Sequence, residues 1–237
     1  MFTEQDHHYM ALAIKLAKQG HYTTSPNPRV GCVLVHEEVI DRVAAEREKI
    51  NTQIIGTGFH QKAGQGHAEV NALLDATTNN PHLIKGSTAY VTLEPCSHFG
   101  RTPPCAQALI DAQVKRVVVA MVDPNPEVSG RGLAMLEQAG IQIAFGLLEN
   151  EAKSLNVGFI NVMTKALPYV RVKLAASLDG KTAMKNGESK WITSTNARFD
   201  VQKLRAQSCA VITGADSILT DNAKMTVRLV GIRRFKG

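Results

Sequence analysis

The stretch Thr88-Ala89-Tyr90-Val91-Thr92-Leu93-Glu94-Pro95-Cys96 reads as a strand that ends by presenting a cysteine. Thr88 to Leu93 alternates in the manner of a strand, and Pro95 stops it. Pro103-Pro104-Cys105 then opens a helix, with proline in the first-turn position that tolerates it. Upstream, His67 to Ala76 reads as a helix with His67 and Glu69 in its first turn. One imidazole and two thiols are thus delivered from a strand end and two helix starts. Three such ligands suit zinc with a fourth position open to water, the pattern of a catalytic site. A closed structural site needs a fourth protein ligand. Cys32 and Cys209 are the other cysteines, and neither has a CxxC neighbour.

Glu69 lies two residues after His67 and can move protons without binding the metal. His-x-Glu followed by Pro-Cys-x-x-Cys marks zinc deaminases acting on nucleobases. Here eight residues separate Cys96 from Cys105 instead of two. The chemistry expected is hydrolytic loss of ammonia from an amino-bearing ring carbon. In the long inter-cysteine loop, His98 and Arg101 could hold a substrate phosphate. Asn27, between Pro26 and Pro28, could hydrogen-bond a pyrimidine or ribose, or could simply shape a turn. The same choice applies to His60 and to Asn125 within Asp123-Pro124-Asn125-Pro126.

Around these motifs, strand and helix alternate. Residues 4–19 read as an amphipathic helix, Val30 to Val35 as a buried strand and Ile54 to Phe59 as the next. Glu37 to Gln53, between them, reads as an inserted, solvated helix. Arg116 to Val122 and Ile141 to Phe145 read as strands, with a helix over Gly132 to Ala139. Glu149 to Ala166 reads as a helix linking two domains. Beyond Pro168, strands are expected over Tyr169 to Ala175 and Cys209 to Thr213, and a helix over Thr195 to Gln207. The reading is α/β: a three-layer α/β/α domain over 1–146 and a second α/β domain over 147–237.

The 237 residues carry a formal charge of +6, which favours an anionic partner, either nucleic acid or a phosphorylated small molecule. No apolar run is long enough to span a bilayer, and four cysteines without a disulfide pattern suit a reducing cytoplasm.

Several stretches resemble the bifunctional riboflavin-biosynthesis deaminase–reductase family. They are Thr24 to Cys32, Gly66 to Val70, Tyr90 to Cys105, Asp123 to Pro126, Ser129 to Gly132 and Lys173 to Lys181. The resemblance implies a cytidine-deaminase-like first domain that binds Zn2+ through His67, Cys96 and Cys105, with Glu69 as proton shuttle. It implies the substrate 2,5-diamino-6-(5-phosphoribosylamino)pyrimidin-4-one, contacted by Asn27, His60, His98, Arg101 and Asn125. It also implies a dihydrofolate-reductase-like second domain that uses NADPH. Lys173, Ser177, Asp179 and Arg205 would contact substrate there, and Trp191, Thr193 and Asp221 would hold the cofactor. From the residues themselves, the Thr213-Gly214 turn could hold a cofactor phosphate on helix amides or be an ordinary connection. A homo-oligomer is implied as well.

Two features depart from that family: about 18 extra residues around 37–53, and a tail, 229–237, unlike its pattern. The chain is expected to carry an incomplete reductase domain, with NADPH binding impaired. An RNA or nucleoside deaminase and a non-catalytic, zinc-stabilised nucleic-acid-binding protein are the competing readings. The Thr102-Pro103-Pro104-Cys105 loop and Ser177 to Lys181 count against the first, and Glu69 counts against the second.

Overall fold

The computed structural model describes residues 1–41, 49–98, 103–126 and 128–228. The chain forms two compact units, Met1–Tyr169 and Val170–Gly237. No helix among the described residues is long and apolar enough to cross a membrane.

The first unit is built on one five-stranded sheet in the order β2-β1-β3-β4-β5. Its strands are β1 (Gly31–Asp41), β2 (Lys49–Phe59), β3 (Thr88–Val91), β4 (Arg116–Val119) and β5 (Gln142–Phe145). β1 pairs antiparallel with both β2 and β3, whereas β3, β4 and β5 run parallel. Helix α1 (Glu4–Ala17) packs on β1 and β3. Helices α2 (Ala68–Asn79), α3 (Cys105–Asp111) and α4 (Arg131–Gln138) form a connected layer of their own. The central parallel strands β3 and β4 are mostly apolar because both of their faces are covered: Val91, Val117, Val118 and Val119 are all fully buried, whereas the edge strand β5 is partly exposed. Three layers follow, as the sequence implies.

Gly58 sets how α2 sits. A β-carbon there would lie 2.3 Å from the Ala68 carbonyl oxygen, so only glycine lets the start of α2 rest on β2. That close approach places His67 and Glu69 over the sheet.

Three expectations are corrected. Residues 37–53 do not carry an inserted helix where they are described. β1 and β2 continue as a ladder through Glu37↔Thr52, Glu38↔Asn51, Val39↔Ile50 and Asp41↔Lys49, with one register shift, between Val39 and Asp41. Val39, Ile40, Ile50 and Thr52 are β-branched, and a ladder already running extends more readily than a new helix nucleates. The segment 149–166 is not one linking helix. It is α5 (Glu149–Leu155) and α6 (Val157–Lys165), broken at Asn156. Leu147, Ala152 and Leu155 are buried in the first unit's core, so the division falls after Tyr169 and not after residue 146.

The third correction concerns the second unit. It has helices α7 (Thr195–Gln207) and α8 (Ala215–Asp221) and no strand among its described residues. Tyr169 to Ala175 and Cys209 to Thr213 have strand-like composition but no ladder partner, and Val170, Val172, Leu174 and Ile212 stay exposed. The tail 229–237 lies outside the described residues.

One buried ion pair ties α1 to the sheet. Thr3 caps α1 by accepting from the Asp6 amide, and Asp6 answers by accepting from the Thr3 amide at 2.9 Å. Asp6 is 1% exposed, and it also accepts from the Tyr90 hydroxyl at 2.9 Å and from Arg116 Nη1 at 2.7 Å. Burial alone would push this carboxyl up. The hydrogen bonds from Arg116, Thr3 and Tyr90 outweigh it and hold the group at about 2, below its ordinary 3.8. Because the folded pKa is depressed, its stabilisation is complete above about pH 4 and is lost as the pH falls towards about 2. Asp6→Asn should lower stability in urea at pH 7 by about 2 kcal/mol, and the gap from the parent should close below about pH 3. A gap that stays constant with pH would show that the carboxylate charge is not the source.

Candidate zinc centre and its cavity

His67 occupies the cap position before α2, with extended backbone angles, and Glu69 follows in the first turn. β3 ends at Val91, and the chain runs on through Leu93 and Glu94 to Cys96. Cys105 is the first residue of α3, with Pro104 as its cap residue. A backbone amide at that helix start, Cys105 N–H, points at the Cys96 sulfur at 3.3 Å, which favours negative charge there.

The three ligand atoms lie within 4.8 Å of one another. His67 Nδ1 is 3.2 Å from the Cys105 sulfur and 3.6 Å from the Cys96 sulfur. Tetrahedral zinc, with Zn–S of about 2.3 Å and Zn–N of about 2.0 Å, sets such atoms roughly 3.6 Å apart. The residues fit the ion, through Nδ1 of the histidine. The two thiols already divide their protons unequally. The hydrogen bond from Cys105 lowers the Cys96 thiol well below its ordinary value, assisted by His67. The bond to Cys96, together with burial, pushes Cys105 up. A cation between them would favour both thiolates.

Glu69 is 3% exposed, and burial pushes its carboxyl up to about 7. It lines a cavity of about 250 Å³ together with His67, Cys96, Asn27, His60 and Asn125. His98 also lines that cavity and is itself exposed. Arg101 lies outside the described residues.

His60 is buried beside His67, and burial lowers its pKa. Its Nδ1 sits 3.1 Å from the Gly66 carbonyl, which can only accept, so Nδ1 carries the proton. Nε2 must then accept from Asn27 Nδ2 at 3.2 Å. That contact orients the Asn27 amide and leaves its Oδ1 as the acceptor for a ligand.

Glu94 has no assigned role in the sequence reading beyond its place in the motif. Its buried carboxylate accepts from the amides of Asp123 and Gly130 at 3.0 Å each, Gly132 at 2.9 Å and Leu133 at 3.3 Å. It therefore shapes the loop that carries Asp123 and Asn125 to the cavity. Asp123 in turn accepts from the Asn125 amide at 2.8 Å, and burial raises its own carboxyl. Phe159 and Met163 of α6 also line the cavity, and no motif marked them.

Residues 3–121 match the sequence profile of the cytidine and deoxycytidylate deaminase zinc-binding region. The chain belongs to that family. Residues 168–234 match the RibD C-terminal domain. Riboflavin biosynthesis protein RibD of Escherichia coli is 54% identical over 94% of this chain and 56% of its own length. The Acinetobacter baumannii RibD structure superposes with a TM-score of 0.83 at 53% identity, over 97% of this chain and 60% of that one. A Thermotoga maritima diaminohydroxyphosphoribosylaminopyrimidine deaminase/5-amino-6-(5-phosphoribosylamino)uracil reductase gives 0.84 at 42% identity, over 96% and 60%. The chain thus spans little more than half the length of the curated relatives it matches.

The His67, Cys96 and Cys105 cluster falls within the residues matched to the zinc-binding region. The residues implied for a reductase site lie in the second unit, where Lys173, Asp179, Trp191, Thr213, Gly214 and Asp221 are exposed. Ser177 donates to Asp179 at 2.5 Å. Arg198 stacks on Trp191 and donates to the Thr193 carbonyl. Arg205 donates to the Lys224 carbonyl at 2.9 Å.

Cys105→Ala should cut zinc, measured by atomic emission, from about one equivalent to below a tenth, because two ligands cannot hold the ion at that affinity. Gly132→Ala is a more searching test. Its β-carbon would meet the Pro95 carbonyl oxygen at 1.9 Å, next to Cys96. It should destabilise the unit by about 1–3 kcal/mol and reduce zinc retention during dialysis against a chelator.

Proposed function

We propose that the first unit is a zinc-dependent deaminase of riboflavin biosynthesis. Its substrate would be 2,5-diamino-6-(5-phosphoribosylamino)pyrimidin-4-one, and its products the corresponding uracil and ammonia. One observation carries the reading: the buried carboxylic acid Glu69 shares a cavity with the three-ligand cluster. The likeness to RibD proteins at about half identity supports the choice of substrate.

Zinc in the triad would supply a Lewis acid and bring the pKa of a water molecule near neutrality. Glu69 takes the proton from that water as oxygen adds to the amino-bearing ring carbon. It delivers that proton to the ring nitrogen, then takes the second proton from the added hydroxyl as C=O forms and gives it to the departing amine, so that the C–N bond breaks and ammonia leaves. Asn27 Oδ1, its amide held by neutral His60, accepts from an N–H on the edge of the base. Asn125 and His98 bind further out, towards the ribose and phosphate. Arg101 joins His98 as a phosphate contact through its planar fork.

Glu69→Gln should retain zinc while losing about 10²–10⁴-fold in kcat, followed by ammonia release and product mass. Full activity in that variant, or RNA binding with a steep salt dependence and no turnover, would overturn the proposal. For residues 170–228 we expect NADPH to bind more weakly than about 10 μM by calorimetry, since an open site leaves most of a ligand's surface in water. Tighter binding would show that the exposed residues close around the cofactor.

A further inference from the structure

Residues 122–167 fall between the two matched regions, yet they supply Asp123, Asn125, Val128, Phe159 and Met163 to the zinc-side cavity. Phe159 and Met163 are four apart on α6 and therefore share one face. Ahead of them, Asn156 is 2% exposed, and both ends of its carboxamide are engaged by a single distant residue. Its Oδ1 accepts from the Arg29 amide at 2.8 Å, and its Nδ2 donates to the Arg29 carbonyl at 2.9 Å. The Arg29 side chain completes the clamp. Nη1 donates to the Leu155 carbonyl, the last of α5, at 2.5 Å, and Nη2 donates to the His21 carbonyl at 3.1 Å.

These contacts fasten the α5–α6 break to the loop that carries Asn27, two residues before Arg29. The cation at the end of α5 also complements that helix's dipole. Asn27 and Phe159 reach the same cavity from segments that this clamp holds together. Asn156 commits both ends of its carboxamide to Arg29 and is not among the residues that line the cavity.

Resting on the deaminase reading above, we infer that Phe159 and Met163 form the apolar wall for the flat face of the pyrimidine. Asn156 is the positioning residue that sets this wall against Asn27. The rest of the lining joins the apolar Pro28, Val30, Leu93 and Val128 to groups that bind edges and charges, His67, Glu69, Asp123 and Asn125, and among the lining residues only Phe159 offers a carbocyclic aromatic face. A planar heterocycle held only by its edges can tilt. An aromatic ring and a thioether against its face remove that freedom and exclude water.

The experiment uses the full zinc-loaded chain with the diaminopyrimidine ribotide. Steady-state kinetics are combined with calorimetric binding of the deaminated ribotide product. Phe159→Ala and Met163→Ala should each raise KM and the product Kd about tenfold or more, as expected when an apolar contact to the ligand is lost. kcat should change much less, the signature of lost uniform binding. Phe159→Leu should recover most of the loss. Asn156→Ala should move KM and Kd in the same direction with zinc content unchanged, an effect that loss of stability alone does not produce in folded protein. Val162→Ala, on an exposed position of α6, should match the parent.

If the parent turns over and Phe159→Ala keeps KM and Kd within about twofold, the wall is refuted and the deaminase reading stands. If the parent binds without turnover and Phe159→Ala weakens binding tenfold, the wall stands and the catalytic reading falls. If the parent neither binds nor turns over the ribotide, both fall.

Discussion

One buried carboxylate, Glu94, accepts hydrogen bonds from four backbone amides between Asp123 and Leu133, and the zinc-side cavity takes its shape from that arrangement. Removing a carboxylate from water costs several kcal/mol, which four charge-assisted hydrogen bonds can offset. No other group available there could meet so many N–H donors at once. Glu94 is also two residues from Cys96. The group that folds the 123–133 loop is therefore tied covalently to a zinc ligand, and loop and metal centre share one reference point. Gly132 belongs to the same constraint, since any side chain there would strike the Pro95 carbonyl.

Around that point, each element contributes a different kind of order. The parallel strands β3 and β4 are rigid because both faces are buried. Helices α2 and α3 begin at the ligands, and the Cys105 amide at the start of α3 points at the Cys96 sulfur, where it favours negative charge. The Asp6–Arg116 pair lies away from the chemistry and holds α1 to β3 and β4. Three buried carboxyl groups thus sit in different settings: Asp6 is met by a cation, Glu94 by amides, and Glu69 lines the cavity beside His67 and Cys96.

The second unit shows how far a local pattern reaches. Tyr169 to Ala175 has the composition of a strand, but a strand exists only when its N–H and C=O groups find a ladder. Among residues 170–228 there is none, and the apolar side chains that would have packed a sheet stay exposed. The opposite happened at residues 37–41 and 49–53. There β1 and β2 were already paired, and the ladder ran on through residues whose charge suggested a solvated helix.

The zinc ligands, the adjacent acid and the alternation of strands and helices were legible in the sequence because each is a local matter. A cap, a first helical turn or an apolar run depends on a few neighbouring residues, and the ligands sit at element ends. Asn27 and His60 could be named as candidates, but their division of labour could not, because the tautomer of His60 depends on the Gly66 carbonyl. Only the tertiary structure decided the α5–α6 break and the placement of Phe159 and Met163 on the cavity. Asn156 meets Arg29 across 127 residues of sequence. A hydrogen bond of that span leaves no periodicity in either segment, since the constraint is set by packing and not by the chain between them.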